Sequence, residues 1–452
     1  MDRYDVVVVG VGGMGSAALY HLARRGKRVL GLERFDLLHE HGSSHGLTRI
    51  IRLGYFEHPD YVPLLRRSYE LWRELEREAG EQLLHVTGIV EGGETIYEGS
   101  LRSCLEHDLL HEAIDGREVA RRFPAYRLPA DYPVVYQPDG GFVLPERCIV
   151  AHVAGALARG ATLRARERVL EWEVTESGVR ITTDRGVVEA GRIVLTAGAW
   201  SQDVARLPSG SVRAVRQALA WFLPLRPELF EPDRMPVFNL GLDGEHFYGF
   251  PAFGIPGFKL GRYDHHGEGG DPEAISREPT LDDEAPLRVF AGRYFPAGAG
   301  PTVALKTCLF EPSPDEHFLV DLHPASERAV VAAGFSGHGF KFCSVVGEIL
   351  ADLASDGSTP HDIGLFGLDR FDRDDRRARF GAMMRRPTCS TFLRRLVPTA
   401  PRRPRSSTTF VRTGSELCYL DASALVKLVV EEPESAALRL AFDQLPRRVT
   451  SR

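Results

Sequence analysis

A single thiol, Cys308, sits in the stretch "KTCLFEPSPDEHFLVDLHP" (Lys306–Pro324), just ahead of an acidic turn. As a residue type it can be a small buried filler, a nucleophile, a metal ligand or the anchor of a covalent group. The other cysteines, at 104, 148, 343, 389 and 418, are too distant to form a CxxC redox pair or a zinc knuckle with it. Their dispersal is not that of a secreted disulfide framework and points to a reducing compartment, the cytoplasm. Cys343, in "KFCSVVGEI", is expected on a core helix as packing.

The second chemical signal is at the N-terminus. In "DVVVVGVGGMGSAALYHLARRGKRVLGLERFD", Val6–Val9 form a β-branched run suited to a strand buried on both faces. Gly10, Gly12 and Gly15 follow as G-x-G-x-x-G. They suit a tight turn, a close approach to pyrophosphate and a tight helix–strand contact in turn. A helix over 16–24 directs its first N–H groups at the phosphates. A second strand ends at Glu33, whose carboxylate can accept both ribose hydroxyls of an adenosine. The pattern predicts dinucleotide binding. It leaves NAD and FAD open, while Glu33 disfavours NADP because a 2′-phosphate would meet a like charge.

The segment after it, "HEHGSSHGLTRIIRLGYFEHPDYVPLLRRSYELWRELE", carries His39, His41 and His45 with no metal-ligand spacing, and reads as a solvated polar loop without a metal. Arg49 and Arg52 are three apart, which places them on one face of a short helical turn beside Ile50 and Ile51. Two guanidiniums facing a cofactor cleft could stabilise a reduced anionic flavin and hold a carboxylate bidentately.

With these motifs, and with "VLTAGAW" (194–200), "FYGFPAFG" (247–254), "FKLGRY" (258–263), "TCLFEPSPDEHF" and "AAGFSGHGFKF" (332–342), residues 3–370 resemble the monomeric sarcosine oxidase and N-methyltryptophan oxidase family. The resemblance implies FAD held through a thioether between Cys308 and the flavin 8α-methyl, which calls for surroundings positive enough to lower the thiol pKa. It implies that Lys259 activates oxygen, that Arg52 and Lys341 clamp the substrate carboxylate, and that His45, Arg49 and Tyr248 lie near the flavin. Gly198, Gly337 and Gly339 are implied at the cofactor. The implied reaction oxidises a secondary amino acid at its C–N bond, giving the demethylated amino acid, formaldehyde and hydrogen peroxide. Its partners are an N-methyl amino acid and O2, its state a monomer, with no membrane.

Two positions depart from the family's sarcosine-active members. Phe310 stands where they carry tyrosine and Tyr263 where they carry histidine, with His265 and His266 shortly after. A lost or changed polar group alters discrimination strongly, so a larger or more apolar N-methyl amino acid is as open as sarcosine. A nicotinamide-dependent dehydrogenase is the alternative enzyme.

The expected fold is α/β (α+β). A Rossmann-like FAD-binding domain takes 1–85, 145–215 and 305–372, and a mainly antiparallel substrate domain takes 86–144 and 216–304. "VLEWEVTESGVRITTDRGVVEAGRIVLTAG" reads as a β-meander feeding a parallel strand. Charge separates the tail from this body: from Arg373 onward 17 basic residues face 8 acidic ones, whereas the first 372 residues carry a net −15. An acidic body argues against nucleic acid as its partner. The tail alone leaves a nucleic-acid arm conceivable. Residues 373–416 read as a disordered basic linker. Residues 417–452 resemble the start of a PIN-domain ribonuclease, with Asp421 at that family's first metal carboxylate. One carboxylate cannot assemble a two-metal site.

Overall fold

The structure, a computed structural model, describes residues 3–371. The expected linker 373–416 and the PIN-like segment 417–452 with Asp421 lie outside the described residues.

The valine run forms β1 (Arg3–Val9), which lies between two parallel neighbours, β2 (Val29–Leu32) and the strand Gly186–Leu195. Side chains alternate along a strand. Val6 and Val8 therefore join one core with Leu19, Leu22, Val345, Ile349 and Leu350, while Val7 and Val9 join another with Leu30, Ile193, Leu195 and Val331. Each such side chain withdrawn from water contributes about 1.5–3 kcal/mol, which is why the run is apolar without interruption. Helix α1 begins at Gly13, three residues before its predicted start, and runs to Arg24. It packs against the helix Cys343–Asp356, where Gly347 leaves no room for a Cβ beside Ala17.

The expected meander is present. Val169–Thr175, Gly178–Thr183 and Gly186–Leu195 pair antiparallel in sequence, and the last of them pairs parallel with β1. The same sheet continues through Ser326–Ala333, parallel to Gly186–Leu195.

A second sheet of nine strands among the described residues is antiparallel except where Val237–Leu242 runs parallel to Ile89–Gly92. Its central strands are Ala214–Phe222, Phe258–Arg262, Glu245–Phe250 and Val237–Leu242, in that spatial order. Thr302–Phe310, the strand that carries Cys308, pairs antiparallel with Ala214–Phe222 in this sheet. The back of the sheet packs on the helix Leu281–Tyr294 through Phe238, Phe247, Phe290 and Phe295, with Phe247 and Phe290 stacked at 3.8 Å between centroids.

One local expectation is overturned. Arg49 and Arg52 do not share a face of a helical turn: Arg49–Ile51 is a strand, β3, antiparallel to Gly141–Val143. The β-branched pair Ile50–Ile51 suits a pleated surface, and its partner comes from about ninety residues away.

Phe290→Ala removes one of the stacked rings under the second sheet and should cost about 3–5 kcal/mol of stability. The result is a lowered melting temperature and an earlier urea transition; a loss under about 1 kcal/mol would contradict the packing described.

Candidate active site

Residues of the glycine fingerprint and of the second strand's end line a cavity of about 490 Å³. Gly10, Gly12, Glu33, Gly198, Gly337 and Gly339, all predicted at the cofactor, are on its wall. Gly15 is not; it lies in the first turn of α1 against β1, where a Cβ would stand 1.8 Å from the Gly10 carbonyl oxygen. Only glycine permits that approach. Gly12, the N-cap of α1, offers no side-chain acceptor, and the Gly13 N–H donates to the Ser44 hydroxyl at a long 3.3 Å, which leaves room for a pyrophosphate at this helix end. Glu33 accepts from the Val11 and Phe35 backbone N–H groups at 2.8 and 3.0 Å, with His39 3.5 Å away. Burial alone would push its carboxyl up, but His39 and the two N–H groups hold it below the usual range. Cradle, helix N-terminus and ionised acid fit the dinucleotide predicted from the sequence.

A second cavity of about 120 Å³ shares Arg49, Phe310, Gly337 and Phe340 with the first, so the two are contiguous. Its walls include Arg52, Lys341, Tyr248 and Cys308. These four predicted residues come from 52 to 341 in sequence and meet only here.

Arg52 is buried at 2% exposure, 2.6 Å from Glu57 and 2.8 Å from Glu91, with its guanidinium over the Tyr55 and Phe56 rings. Burial disfavours its charge, yet the two carboxylates raise its pKa above the ordinary value. The acids diverge in response. Burial drives Glu91 up in spite of Arg52, whereas Glu57, under the same penalty, is held down by Arg52, His338 and Lys341. Glu91 is completely enclosed and accepts hydrogen bonds from Ser100, Gln137 and Asn239. Lys341 Nζ donates to the His338 carbonyl at 2.6 Å, and burial next to Arg52 lowers its pKa to about 7. Sequence reasoning missed Glu57 and Glu91. Both lie near motifs without belonging to one, and an acid beside an arginine in a chain gives no sign of depth.

Lys259 is buried but lines neither cavity. Its Nζ reaches the Gly46 carbonyl at 2.7 Å, the Thr48 carbonyl at 2.9 Å and the Thr48 hydroxyl at 3.2 Å, below the Phe250 and Trp221 rings. Burial and Arg49 depress its pKa well below the lysine range. Three acceptors nevertheless match the three protons of an ammonium. Arg49 donates to the carbonyls of Thr48 and Ser43 at 2.8 and 2.6 Å, and also to that of His45.

His45 corrects the expectation of a solvated loop. It is 1% exposed, neither ring nitrogen has a protein partner, and burial with Arg49 nearby lowers its pKa to about 3. His41 is exposed and half-buried His39 stacks on it, so the loop is polar at one end and buried at the other. The turn that the Arg49 side chain makes with the Ser43 and His45 carbonyls draws that end inward.

Cys308 is buried at 2% exposure. The expectation of a lowered thiol pKa fails: burial raises it, and Arg49, Lys259 and Arg216 offset that only in part. Both departures from the resembled family are on the substrate cavity. Tyr263 donates its hydroxyl to the Ser336 carbonyl at 2.9 Å, and Phe310 lies against Gly337, where a Cβ would be 2.3 Å from the ring. His265 and His266 are elsewhere. With Asp283 they form the one cluster among the described residues with metal-ligand spacing, but the Asp283 oxygens are already taken by Arg216 and Thr280.

A dinucleotide cavity that shares wall residues with a small pocket lined by the buried cations Arg52 and Lys341 is a layout suited to an oxidoreductase. The chain belongs to the FAD-dependent oxidoreductase family, whose model matches residues 5–353. It is 42% identical over 373 residues to the monomeric sarcosine oxidase of Streptomyces avermitilis, taking in 80% of this chain and 96% of that protein. It is 33% identical over 375 residues to the N-methyl-L-tryptophan oxidase of Yersinia pestis, with 81% and 99% covered. Among solved structures it is similar to NikD, an unusual amino acid oxidase essential for nikkomycin biosynthesis, at 30% identity and a TM-score of 0.70, over 81% of this chain and 98% of that one.

Gly15→Ala should purify largely free of flavin, as read from visible absorbance, because its methyl group collides with the turn that shapes the pyrophosphate cradle. Full flavin content in this variant would show that the turn is not the binding element.

Proposed function

We propose that this chain oxidises the C–N bond of a secondary, N-methyl amino acid and releases the demethylated amino acid, formaldehyde and hydrogen peroxide. The observation that carries the reading is the placing of Arg52 and Lys341 on one wall of the cavity contiguous with the dinucleotide site. When bound, FAD would supply the two-electron acceptor, with O2 as the final oxidant. This chain's residues bind, orient and shield.

Arg52 and Lys341 receive the substrate carboxylate. The guanidinium meets it as a planar fork and the ammonium as a point charge. Glu57 already holds one edge of Arg52 at 2.6 Å, so an incoming carboxylate competes with it for those N–H groups. Anchoring the acid group restricts where the N-methyl carbon lies, and good orientation can lower a barrier by several kcal/mol, up to about 7–11. Tyr248 and Phe310 wall off water, which strengthens every charge interaction inside. Arg49 and Lys259, with His45 beside them, set a fixed positive field for the anionic states that O2 reduction passes through.

Gly10, Gly12, Gly15, Glu33, Gly198, Gly337 and Gly339 form the FAD cradle in this reading, and Cys308 is its covalent anchor. The chain divides into an FAD-binding part (1–85, 145–215, 305–372) and a substrate part (86–144, 216–304), with Thr302–Phe310 joining them through its pairing in the second sheet. It acts as a monomer in the cytoplasm. Four described cysteines are free, and no described helix is long and apolar enough to cross a membrane.

Peroxide and formaldehyde should appear together when the protein meets sarcosine or N-methyltryptophan; release of neither would overturn the oxidase reading. Cys308→Ser should leave a flavin that acid precipitation strips from the protein, while flavin retained after denaturation would refute the thioether. In Lys259→Met, reoxidation by O2 should slow by at least about tenfold more than anaerobic reduction, the scale of one lost charge contact. Equal slowing of both half-reactions removes Lys259 from the oxygen step.

A further inference from the structure

The polar groups on the wall of the substrate cavity are almost all committed to protein partners. Glu57 holds Arg52, and the Asn239 amide donates to Glu91. The Tyr263 hydroxyl donates to the Ser336 carbonyl. His338 contacts the Tyr55 hydroxyl through Nδ1 at 2.6 Å and the Glu316 carbonyl through Nε2 at 2.9 Å. A ring nitrogen is among the exceptions. His246 lines this cavity, and its Nε2 is buried and makes no hydrogen bond within the protein. An unmet buried nitrogen carries a desolvation cost, and a ligand atom can recover it.

The ring is held in place. It stacks on Tyr263 at 5.5 Å between centroids with 29° between planes, and Phe56 meets it edge-on at 5.7 Å. It shares the inward face of its strand with Tyr248 and Phe250, which also line the cavity. The charged groups that act on it are Glu57 and Arg52, so it lies in their field at the carboxylate-binding end. Burial keeps the imidazole neutral, with a pKa lowered to about 4.

We infer that His246 is a specificity-determining residue whose Nε2 hydrogen-bonds a short, uncharged polar side chain of the N-methyl amino acid, a hydroxyl or carboxamide. This rests on the oxidase reading above and narrows its substrate class. Charge complementarity selects the neutral group. An acidic side chain would meet Glu57 and Glu316 on the same wall, and a basic one would meet Arg52 and Lys341. A hydroxyl or carboxamide both donates and accepts, so it pairs with Nε2 in either tautomer.

The test compares isosteric pairs by kcat/KM for peroxide release: N-methylserine against N-methyl-2-aminobutyrate, and N-methylasparagine against N-methylleucine, with sarcosine as reference. In the unmodified protein the polar member of at least one pair should lead by about tenfold or more, the worth of one satisfied buried hydrogen bond. His246→Phe should bring that ratio to about one or below, and His246→Gln should restore part of it, which loss of packing alone would not do. Binding without turnover gives a second readout. The non-oxidisable acid 3-hydroxy-2-methoxypropanoate should raise the melting temperature more than 2-methoxybutanoate does, and the difference should vanish in His246→Phe. Apolar members leading both pairs, or a preference unchanged in His246→Phe, overturns the inference while leaving the oxidase reading intact. Peroxide from none of these substrates, sarcosine included, overturns both.

Discussion

Three buried cations, Arg52, Lys259 and Lys341, and the half-buried Arg49 surround the two cavities, and that constraint organises the centre of the molecule. An unpaired charge in such a place costs several kcal/mol or shifts its protonation instead. Each of the four is met by a specific set of acceptors. Arg52 is flanked by Glu57 and Glu91, and Lys341 is bound by the His338 carbonyl. Arg49 and Lys259 are held by peptide carbonyls of one short loop, Ser43, Thr48 and Gly46 among them. Carbonyl groups stabilise positive charge without neutralising it, so the field survives in the cavity. Lys341 shows the limit of the arrangement: with one strong acceptor and Arg52 nearby, its pKa falls to about 7.

The loop can act as a cation receptor because it is itself tied down. The Gly46 and Leu47 N–H groups both donate to Glu146. Ser43 donates its hydroxyl to the Leu309 carbonyl at 2.5 Å, and the Leu309 N–H returns a bond to the Gly42 carbonyl. The strand Thr302–Phe310 is thus fastened to the loop on one side and to Ala214–Phe222 on the other, and Cys308 and Phe310 alternate onto the cavities from it. Across the second sheet, Leu219, Gly261, Tyr248 and Asn239 fall in one register row. Gly261 has no side chain, and the Tyr248 ring fills its place. Pairing in the second sheet, more than any local preference, aims the substrate side of the cavity.

Local chemistry carried far where it was sufficient. A valine run, three glycines and a terminal acid are readable because a βαβ turn is made by neighbours in sequence, and the strand, turn, helix and second strand are present, with α1 starting earlier than expected. The meander over 169–195 is legible for the same reason. Arg49 and Arg52 were readable as residue types but not as geometry, since spacing of three suggests a helix until a strand from 141–143 pairs with Ile50 and Ile51. His246 could have been found by extending the alternation from Tyr248 back two residues. Glu91 could not, because its role depends on Arg52, Asn239 and Gln137 closing around it.

The thiol marks the boundary most clearly. Residue type leaves Cys308 open between filler, nucleophile, metal ligand and covalent anchor, and the resemblance of its stretch implies the last. Whether it is acidic is a question of dielectric and distance: three cations pull its pKa down, enclosure pushes it up, and enclosure wins. Residue order encodes which groups exist and which short-range turns they make. Depth, pairing and net field arise only when remote strands bring those groups into one unhydrated space, because solvation and Coulomb energies depend on positions that no local pattern contains.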